Sequence, residues 1–311
     1  MGVIAVSGGT GSVGRTIVEA LVATQKHKVI VLTRAERASN KDITYLQVNY
    51  EDVDAASAVL ESAAVDTVIS ALSMITEQSN EAQLNLIQAA NKSKSTRRFV
   101  ISAFDMYLTE ESRFVELVPQ AKWQYAAISA LEKTDLEYTR VVNGFFLDYY
   151  GVPHWPSHLK PWITSISVAG KWAVIPGDGT SKANFITTQD TAKFVARLMD
   201  LSKWPKLSSI VGEALTFVEL VEIAEKVRGE KFRVIFDSLE HLAGGKISFP
   251  EFPEPDYGLS QDEFEAAVAG IHYLAASNAA LVPTEDPLNN YFPDIKLTTA
   301  QEVIESSWKG R

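Results

Sequence analysis

The chain is predicted to be an α/β protein: a doubly wound parallel sheet with a smaller C-terminal α+β lobe. Three observations predict it. Through the first half, apolar runs of strand length alternate with helix-length amphipathic segments, the pattern of repeated βαβ units. The strand runs are apolar throughout instead of alternating, as a sheet covered on both faces requires. Beyond about residue 150 the alternation gives way to proline- and tryptophan-rich stretches between further helices.

The first strand is "VIAVS" (3–7), and "SVGRTIVEALVAT" follows it as a helix with apolar residues recurring at three and four. Strands are expected at "KVIVLT" (28–33), "ITYLQV" (43–48), "DTVISAL" (66–72) and "RFVISA" (98–103). The intervening "DVDAASAVLESA" and "EQSNEAQLNLIQAANKS" carry acidic or small polar residues near their starts, where free helix N–H groups need acceptors. Residues 1–150 form the core unit and 151–311 the second lobe, with prolines in "GVPHWPSHLKPWITSIS", "SFPEFPEPDYG" and "VPTEDPLNNYFPD". Helices are expected there at "TQDTAKFVARLMD", "TFVELVEIAEKVRG" and "QDEFEAAVAGIHYLAAS", while "KWAVI" and "SSIV" are expected to rejoin the main sheet.

Composition removes several classes of function. With 311 residues and 46% hydrophobic content the chain can bury a large core. No run of about 18 apolar residues spans a membrane, no signal-peptide pattern precedes the first strand, and the expected compartment is the cytoplasm. Lipidation at Gly2 is not expected, because Val6 stands where the myristoylation pattern wants Ser or Thr. The absence of cysteine excludes disulfides and thiolate chemistry, and the histidines His27, His154, His158, His241 and His272 lack zinc spacing, so no metal is expected. A formal charge of -10 opposes nucleic-acid binding, which depends on lysines and arginines displacing counterions.

The stretch "VSGGTGSVGR" carries the chemistry. Between a strand and an amphipathic helix, Gly8-Gly9-Thr10-Gly11-Ser12-Val13-Gly14 is a G-x-x-G-x-x-G form of the dinucleotide fingerprint. Gly8 allows the tight turn, Gly11 admits a pyrophosphate and Gly14 lets helix and strand pack closely, with Thr10, Ser12 and Val13 completing the phosphate loop. The second strand runs into Arg34, where an NAD-preferring protein carries an acid for the ribose 2′-hydroxyl. A guanidinium there pairs with a 2′-phosphate, so NADP is the expected cofactor, with Arg37 or Lys41 assisting; a solvated surface arginine is the plainer alternative. Later strand ends should line the same crevice. Asn49 and Tyr50 fall near the adenine, Ser70 to Ser73, including Ala71 and Leu72, beside the ribose, and Ser102, Ala103 and Phe104 near the nicotinamide.

On "SGGTGSVG", "VLTR", "RRFVISAF", "LEYTRVVNGFFLDYYG" and "VIPGDGTSKANFITTQDTAKFVARLMD", the chain resembles the NmrA-like and isoflavone-reductase-like branch of the atypical short-chain dehydrogenases, from residue 1 to about 235. The resemblance implies a Rossmann core binding NADP, with Asn143, Gly144, Phe145 and Phe146 forming a turn beside the nicotinamide. It also implies a lysine early in the helix before "LEYT". The main branch of the superfamily uses Tyr-x-x-x-Lys, but none of the ten tyrosines here has a lysine at the fourth position after it. The spacing carried over from the family lands on Gln124, and the nearest lysine is Lys122. Two residues along a helix rotate a side chain by about 200°. Three readings of "AKWQY" stay open: Lys122 reaches the nicotinamide ribose through a shifted helix start, Tyr125 is the acid, or the site lacks a proton donor. A solvated Lys122 beside packed Trp123 and Tyr125 is the structural alternative.

Phe104, Met106, Tyr107, Phe145, Phe146, Tyr149, Tyr150, Trp155 and Trp162 surround the expected nicotinamide mouth, a composition suited to a flat aromatic ligand, although aromatics are commonly core. The expected substrate wall is Phe104, Tyr107, Phe146, Tyr149, Tyr150 and Trp155. His154 and His158 are candidate acids at the lobe junction, Asp190 reads as a helix-start residue and Asp178-Gly179 as a turn. The expected function is NADPH-dependent reduction of a carbonyl, enone or imine in a small aromatic or polyketide-like substrate of secondary metabolism. Two alternatives stand beside it: an NADP(H)-sensing regulator with a protein partner, and a non-redox cyclase or isomerase.

Overall fold

The computed structural model describes residues 2–109, 116–252 and 259–311. The first unit runs β1 (Val3–Ser7), α1 (Ser12–Thr24), β2 (Lys28–Thr33), β3 (Ile43–Gln47), α2 (Val53–Ser62), β4 (Thr67–Ser70), α3 (Glu77–Lys92), β5 (Arg98–Asp105), α4 (Pro119–Leu131) and β6 (Glu137–Val142). With β11 (Leu207–Ser209) these strands form a seven-stranded sheet ordered β11-β6-β5-β4-β1-β2-β3. All its pairings are parallel. Strand order reverses between β1 and β4, so a crevice opens at their carboxyl ends.

Burial on both faces explains the apolar strands. Along β1, Ile4 and Val6 pack in one layer with Ile17 and Leu21 of α1, while Ala5 faces the other with Leu60 of α2 and Leu86 of α3. Caps set the helix starts: the Asp52 side chain accepts from Ala55 N–H before α2, and Thr76 accepts from Ser79 N–H before α3.

The second part contains β7 (Phe145–Phe146), a 3-10 turn (Leu147–Tyr150), β8 (Ile166–Ser167), β9 (Trp172–Pro176), β10 (Lys182–Ile186), α5 (Thr188–Leu198), β12 (Glu213–Thr216), α6 (Phe217–Arg228), β13 (Arg233–Asp237), α7 (Leu239–Ala243), α8 (Gln261–Ala276), α9 (Leu288–Tyr291) and α10 (Ala300–Trp308). Its strands form two three-stranded sheets, β12-β10-β7 and β13-β9-β8. "SSIV" rejoins the main sheet, as β11 beside β6. "KWAVI" does not: as β9 it pairs with β13 and β8. Its two faces are already covered within the lobe, Trp172 and Val174 by Phe264 and Val268, and Ala173 and Ile175 by Phe217 and Leu220. Asp178-Gly179 is a turn, with Thr180 N–H bound to the Asp178 carboxylate at 3.0 Å.

One buried amide joins the two parts. Asn184 of β10 donates through Nδ2 to the Asn143 carbonyl at 2.6 Å and to the Ile210 carbonyl at 3.3 Å, and its Oδ1 accepts from Gly212 N–H at 2.9 Å. These bonds tie the end of β6 and the segment between β11 and β12 to the second sheet. Among the described residues no helix is long and apolar enough to cross a membrane, and no cluster of three or more metal-ligating side chains occurs.

His272 of α8 is buried, and burial pushes its pKa down to about 4 against the pull of the Asp237 carboxylate. Its ring is neutral in the folded protein at neutral pH. A depressed folded pKa gives stability that is present above the unfolded value near 6.5 and lost as pH falls toward 4. The stability advantage of wild type over His272→Gln, measured by urea unfolding, is expected to shrink by about 3 kcal/mol between pH 7 and pH 4.

Candidate functional site

The turn after β1 is built by close contact. Gly8 has φ +76°, and a Cβ there would lie 2.3 Å from the Ala71 carbonyl oxygen at the end of β4. A Cβ at Gly14, in the first turn of α1, would lie 2.3 Å from the Gly8 oxygen. Gly11 N–H donates to that same oxygen at 2.9 Å, and Ala71 N–H to the Ser7 carbonyl at 2.8 Å. Gly11 itself faces open space, since a Cβ there would meet only the Gly8 oxygen within 4 Å, at 3.2 Å. Gly11 is also the N-cap of α1 and supplies no side-chain acceptor. The first N–H groups of α1 and its positive dipole end therefore point, with exposed Thr10 and half-buried Ser12 and Val13, into the crevice: a cradle for an anion.

Arg34 follows β2 and is exposed at the same rim, with its carbonyl held by Gln47 Nε2 at 3.0 Å. Beneath it Tyr50 is buried, its hydroxyl 2.7 Å from Ser7 Oγ. Burial pushes the Tyr50 pKa up, while the Ser7 hydrogen bond and the Arg34 charge pull it back. Asn49 is exposed, and its side chain accepts from Glu51 N–H at 3.0 Å. At the next strand ends, Ala71, Leu72 and Phe104 are half-buried, and Ala103 is buried. Ser102 is buried too, donating through its hydroxyl to the Leu72 carbonyl at 2.8 Å and through its N–H to Gln83 Oε1 at 2.9 Å.

β5 ends in a bulge: between the pairs Ile101–Arg140 and Asp105–Val142 it advances four residues while β6 advances two. The Asp105 carbonyl then accepts from Asn143 N–H at 3.0 Å and Gly144 N–H at 3.1 Å, fixing the turn that follows β6. Asn143 is fully buried, and its Nδ2 donates to the Gly144 carbonyl at 3.1 Å. Phe145 is half-buried, with ring centroids 5.6 Å from both Phe185 and Phe217.

The helix after β5 has no slip that turns its lysine inward. Lys122 is exposed, with the Glu77 carboxylate as its charged neighbour, whereas Gln124 is 2% exposed. Tyr125 is half-buried, and its hydroxyl donates to the Leu108 carbonyl at 3.0 Å, so its proton is engaged by the chain. Tyr150 belongs to the core and not to a substrate wall: it is buried, its ring packs on Phe185, and its hydroxyl lies 3.3 Å from Ser165 Oγ. Phe146 is likewise buried, while Tyr107, Tyr149 and Trp155 are half-buried. Tyr149 meets Trp162 edge-to-face at 5.8 Å. Of the junction histidines, His158 lies 2.8 Å from the Glu19 carboxylate of α1 and His154 packs edge-to-face against Trp308. Asp190, in the first turn of α5, accepts from Thr298 N–H and Lys193 Nζ at 2.7 Å each.

Two residues escape sequence reasoning. Arg140 lies within β6 and is 3% exposed, with its guanidinium 4.9 Å from the Tyr107 ring and 5.5 Å from the Tyr125 ring. It donates to the Leu108 carbonyl at 2.8 Å. Asp105 is held at the bulge, its Oδ1 accepting from Met106 N–H at 2.8 Å. Burial pushes its carboxyl up to about 6, opposed by the Met106 hydrogen bond and the Arg140 charge. The available signals were a charge inside the apolar run "EYTRVV" and an acid directly after "RFVISAF".

A parallel sheet with a glycine turn and an open helix N-terminus at the reversal of strand order defines a dinucleotide-binding Rossmann protein. The chain belongs to the NmrA-like family, whose sequence profile matches residues 1–255. It is 37% identical over 232 residues to the oxidoreductase BOA1 of Botryotinia fuckeliana, covering 74% of this chain and 77% of that protein. It is 27% identical to the oxidoreductase swnN of Metarhizium robertsii, across 99% and 98% of the two chains. Among solved structures, AtPrR2 with NADP+ and (+)pinoresinol superposes with a TM-score of 0.75 at 21% identity, over 98% of both chains. The ternary complex of leucoanthocyanidin reductase from Vitis vinifera does so with a TM-score of 0.75 at 18% identity, over 97% of this chain and 98% of that one. These superpositions establish the shared fold.

Substitutions in the glycine turn separate packing from binding. Gly14→Ala is expected to lower stability in chemical denaturation by about 1–3 kcal/mol, because the new Cβ meets backbone. Gly11→Ala is expected to stay within about 0.5 kcal/mol of wild type while weakening dinucleotide binding in a fluorescence titration.

Proposed function

We propose that this protein is an NADPH-dependent oxidoreductase reducing a carbonyl, enone or imine in a small aromatic or polyketide-like substrate. The observation that carries this reading is the Gly8–Gly14 cradle with Arg34 at its rim. The curated relatives called oxidoreductases support it, as do fold neighbours holding NADP+ with (+)pinoresinol or, in leucoanthocyanidin reductase, NADPH. The residues present fit the cofactor. The N–H groups at the start of α1 would hold the pyrophosphate, Arg34 the 2′-phosphate, and Tyr50 would support the adenine end. Ala71, Leu72, Ser102, Ala103, Phe104, Asn143 and Phe145 would bound the ribose and nicotinamide. When bound, NADPH supplies the hydride.

The chain's own work is to orient the acceptor and provide the proton. The half-buried rings of Phe104, Tyr107, Tyr149 and Trp155 offer apolar surface to a flat substrate. With Lys122 exposed and the Tyr125 hydroxyl spent on Leu108, Asp105 is the acid at the crevice end of β5, its carboxyl raised to about 6 so that a minor share stays protonated as pH approaches neutrality. In this reading Lys122 serves at the crevice rim beside Glu77 and Tyr125 positions the Leu108 carbonyl. Work on a small molecule in the cytoplasm, without nucleic acid or membrane, completes the proposal. The exposed Lys122 and the buried Gln124 favour one second reading, a regulator that binds NADP(H) without turnover and reports to a protein partner.

Titration with NADPH and NADH, followed by reduced-nicotinamide absorbance against quinones, enones and aryl ketones, tests both readings. Acceptor-dependent oxidation supports the reductase, and tight binding without oxidation supports the regulator. Arg34→Ser is expected to weaken NADPH about tenfold or more and to leave NADH nearly unchanged. Because the protonated form of Asp105 is the donor, kcat/KM is expected to fall as pH rises through about 6, and Asp105→Asn to remove that limb with NADPH affinity retained.

A further inference from the structure

The second lobe presents an edge that nothing else in the described chain covers. β13 lies at the end of its sheet, paired on one side with β9 in parallel. Arg233 N–H donates to the Lys171 carbonyl and the Asp237 carbonyl accepts from Gly177 N–H, so residues 233 and 237 face β9. By the two-residue period of a strand, 235 faces β9 as well, and the backbone groups of Val234 and Phe236 point to the free edge. Among the described residues no backbone hydrogen bond reaches those two. Their side chains share one face and are 37% and 53% exposed, with Leu239 of α7 at 43% just beyond. These are three of the five large hydrophobics exposed among the described residues. The Phe236 ring lies beside the Gly179 turn.

Natural sheet edges are commonly blunted by inward charges, proline or a bulge, and "RVIFD" has none of these within its apolar centre. Its ends carry opposite charges. We propose that β13 pairs antiparallel with β13 of a second copy about a two-fold axis through Ile235, joining two three-stranded sheets into one of six strands. In this register Val234 faces Phe236 of the second copy, and vice versa. Those are the residues with unpaired backbone groups, so each couple exchanges two hydrogen bonds. The same register sets Arg233 across from Asp237 of the second copy, placing unlike charges together. The edge is thus complementary to itself, as an isologous contact requires. A strand pair of this length is a small interface, so the association is concentration-dependent.

Sedimentation velocity on the full chain tests this pairing over about 1 to 100 μM, the range expected of a small interface. Wild type is expected to shift from monomer to dimer across that range. The double variants Val234→Lys/Phe236→Lys and Val234→Glu/Phe236→Glu are each expected to remain monomeric, and their mixture to recover the dimer, because every lysine then faces a glutamate. Phe236→Ser, with circular dichroism as the control for folding, is expected to weaken the dimer about tenfold if the charged variants fold poorly. A wild-type monomer at all concentrations, a dimer indifferent to all these substitutions, or a mixture of folded charged variants that stays monomeric overturns the proposal.

Discussion

The close approach of the Gly8–Gly14 turn to the Ala71 carbonyl is the constraint on which the molecule's arrangement rests. With hydrogen in place of a side chain at Gly8 and Gly14, β1 can sit in register with β4 while α1 starts directly above their carboxyl ends. A single methyl at either position would meet a backbone oxygen at 2.3 Å, in a region where the core is packed on both sides. The same crowding leaves Gly11 facing outward, so the pressure that closes the turn also aims the helix N-terminus into the crevice.

At the end of the sheet facing the second lobe, polar groups are buried and several bind one another, while Arg140 Nε and Asn143 Oδ1 are buried without a hydrogen-bond partner among the described residues. The bulge in β5 turns the Asp105 carbonyl toward Asn143 and Gly144, and the Asn143 carbonyl in turn accepts from Asn184. Arg140 sits below with a carbonyl and two aromatic faces as its neighbours, an arrangement that eases desolvation of a guanidinium. Its charge also tempers the effect of burial on Asp105. The titratable carboxyl of the proposed reaction is thus attached to backbone that is held by the N–H groups of Asn143 and Gly144.

The parallel core was legible because its signals are local. "VIAVS" and "KVIVLT" are apolar on both faces, and the glycine turn lies between a strand and a helix within a few residues of each. The misassigned partner of "KWAVI" shows where local signals end, since β9 pairs with a strand some sixty residues later and its composition fits a core strand in any sheet. The opposite orientations of Lys122 and Gln124 followed from helical rotation alone once α4 kept its phase. Tyr150 was unreadable for the opposite reason: an aromatic in a functional-looking block has the same sequence signature whether it lines a wall or fills the core. Asp105 and Arg140 lie on different strands, and their electrostatic coupling exists only after β5 and β6 pair.

The return of β11 to the main sheet bears on how such proteins can be recombined. A crossover at residue 150 separates β6 from its edge neighbour and leaves the Asn143 carbonyl without the Asn184 amide. The chain between them belongs to two sheets at once. Exchange of specificity between relatives is therefore open to insertions and loop grafts within the lobe, while β10 and β11 must travel with the first unit. Inheritance of the pocket is tied to inheritance of the scaffold.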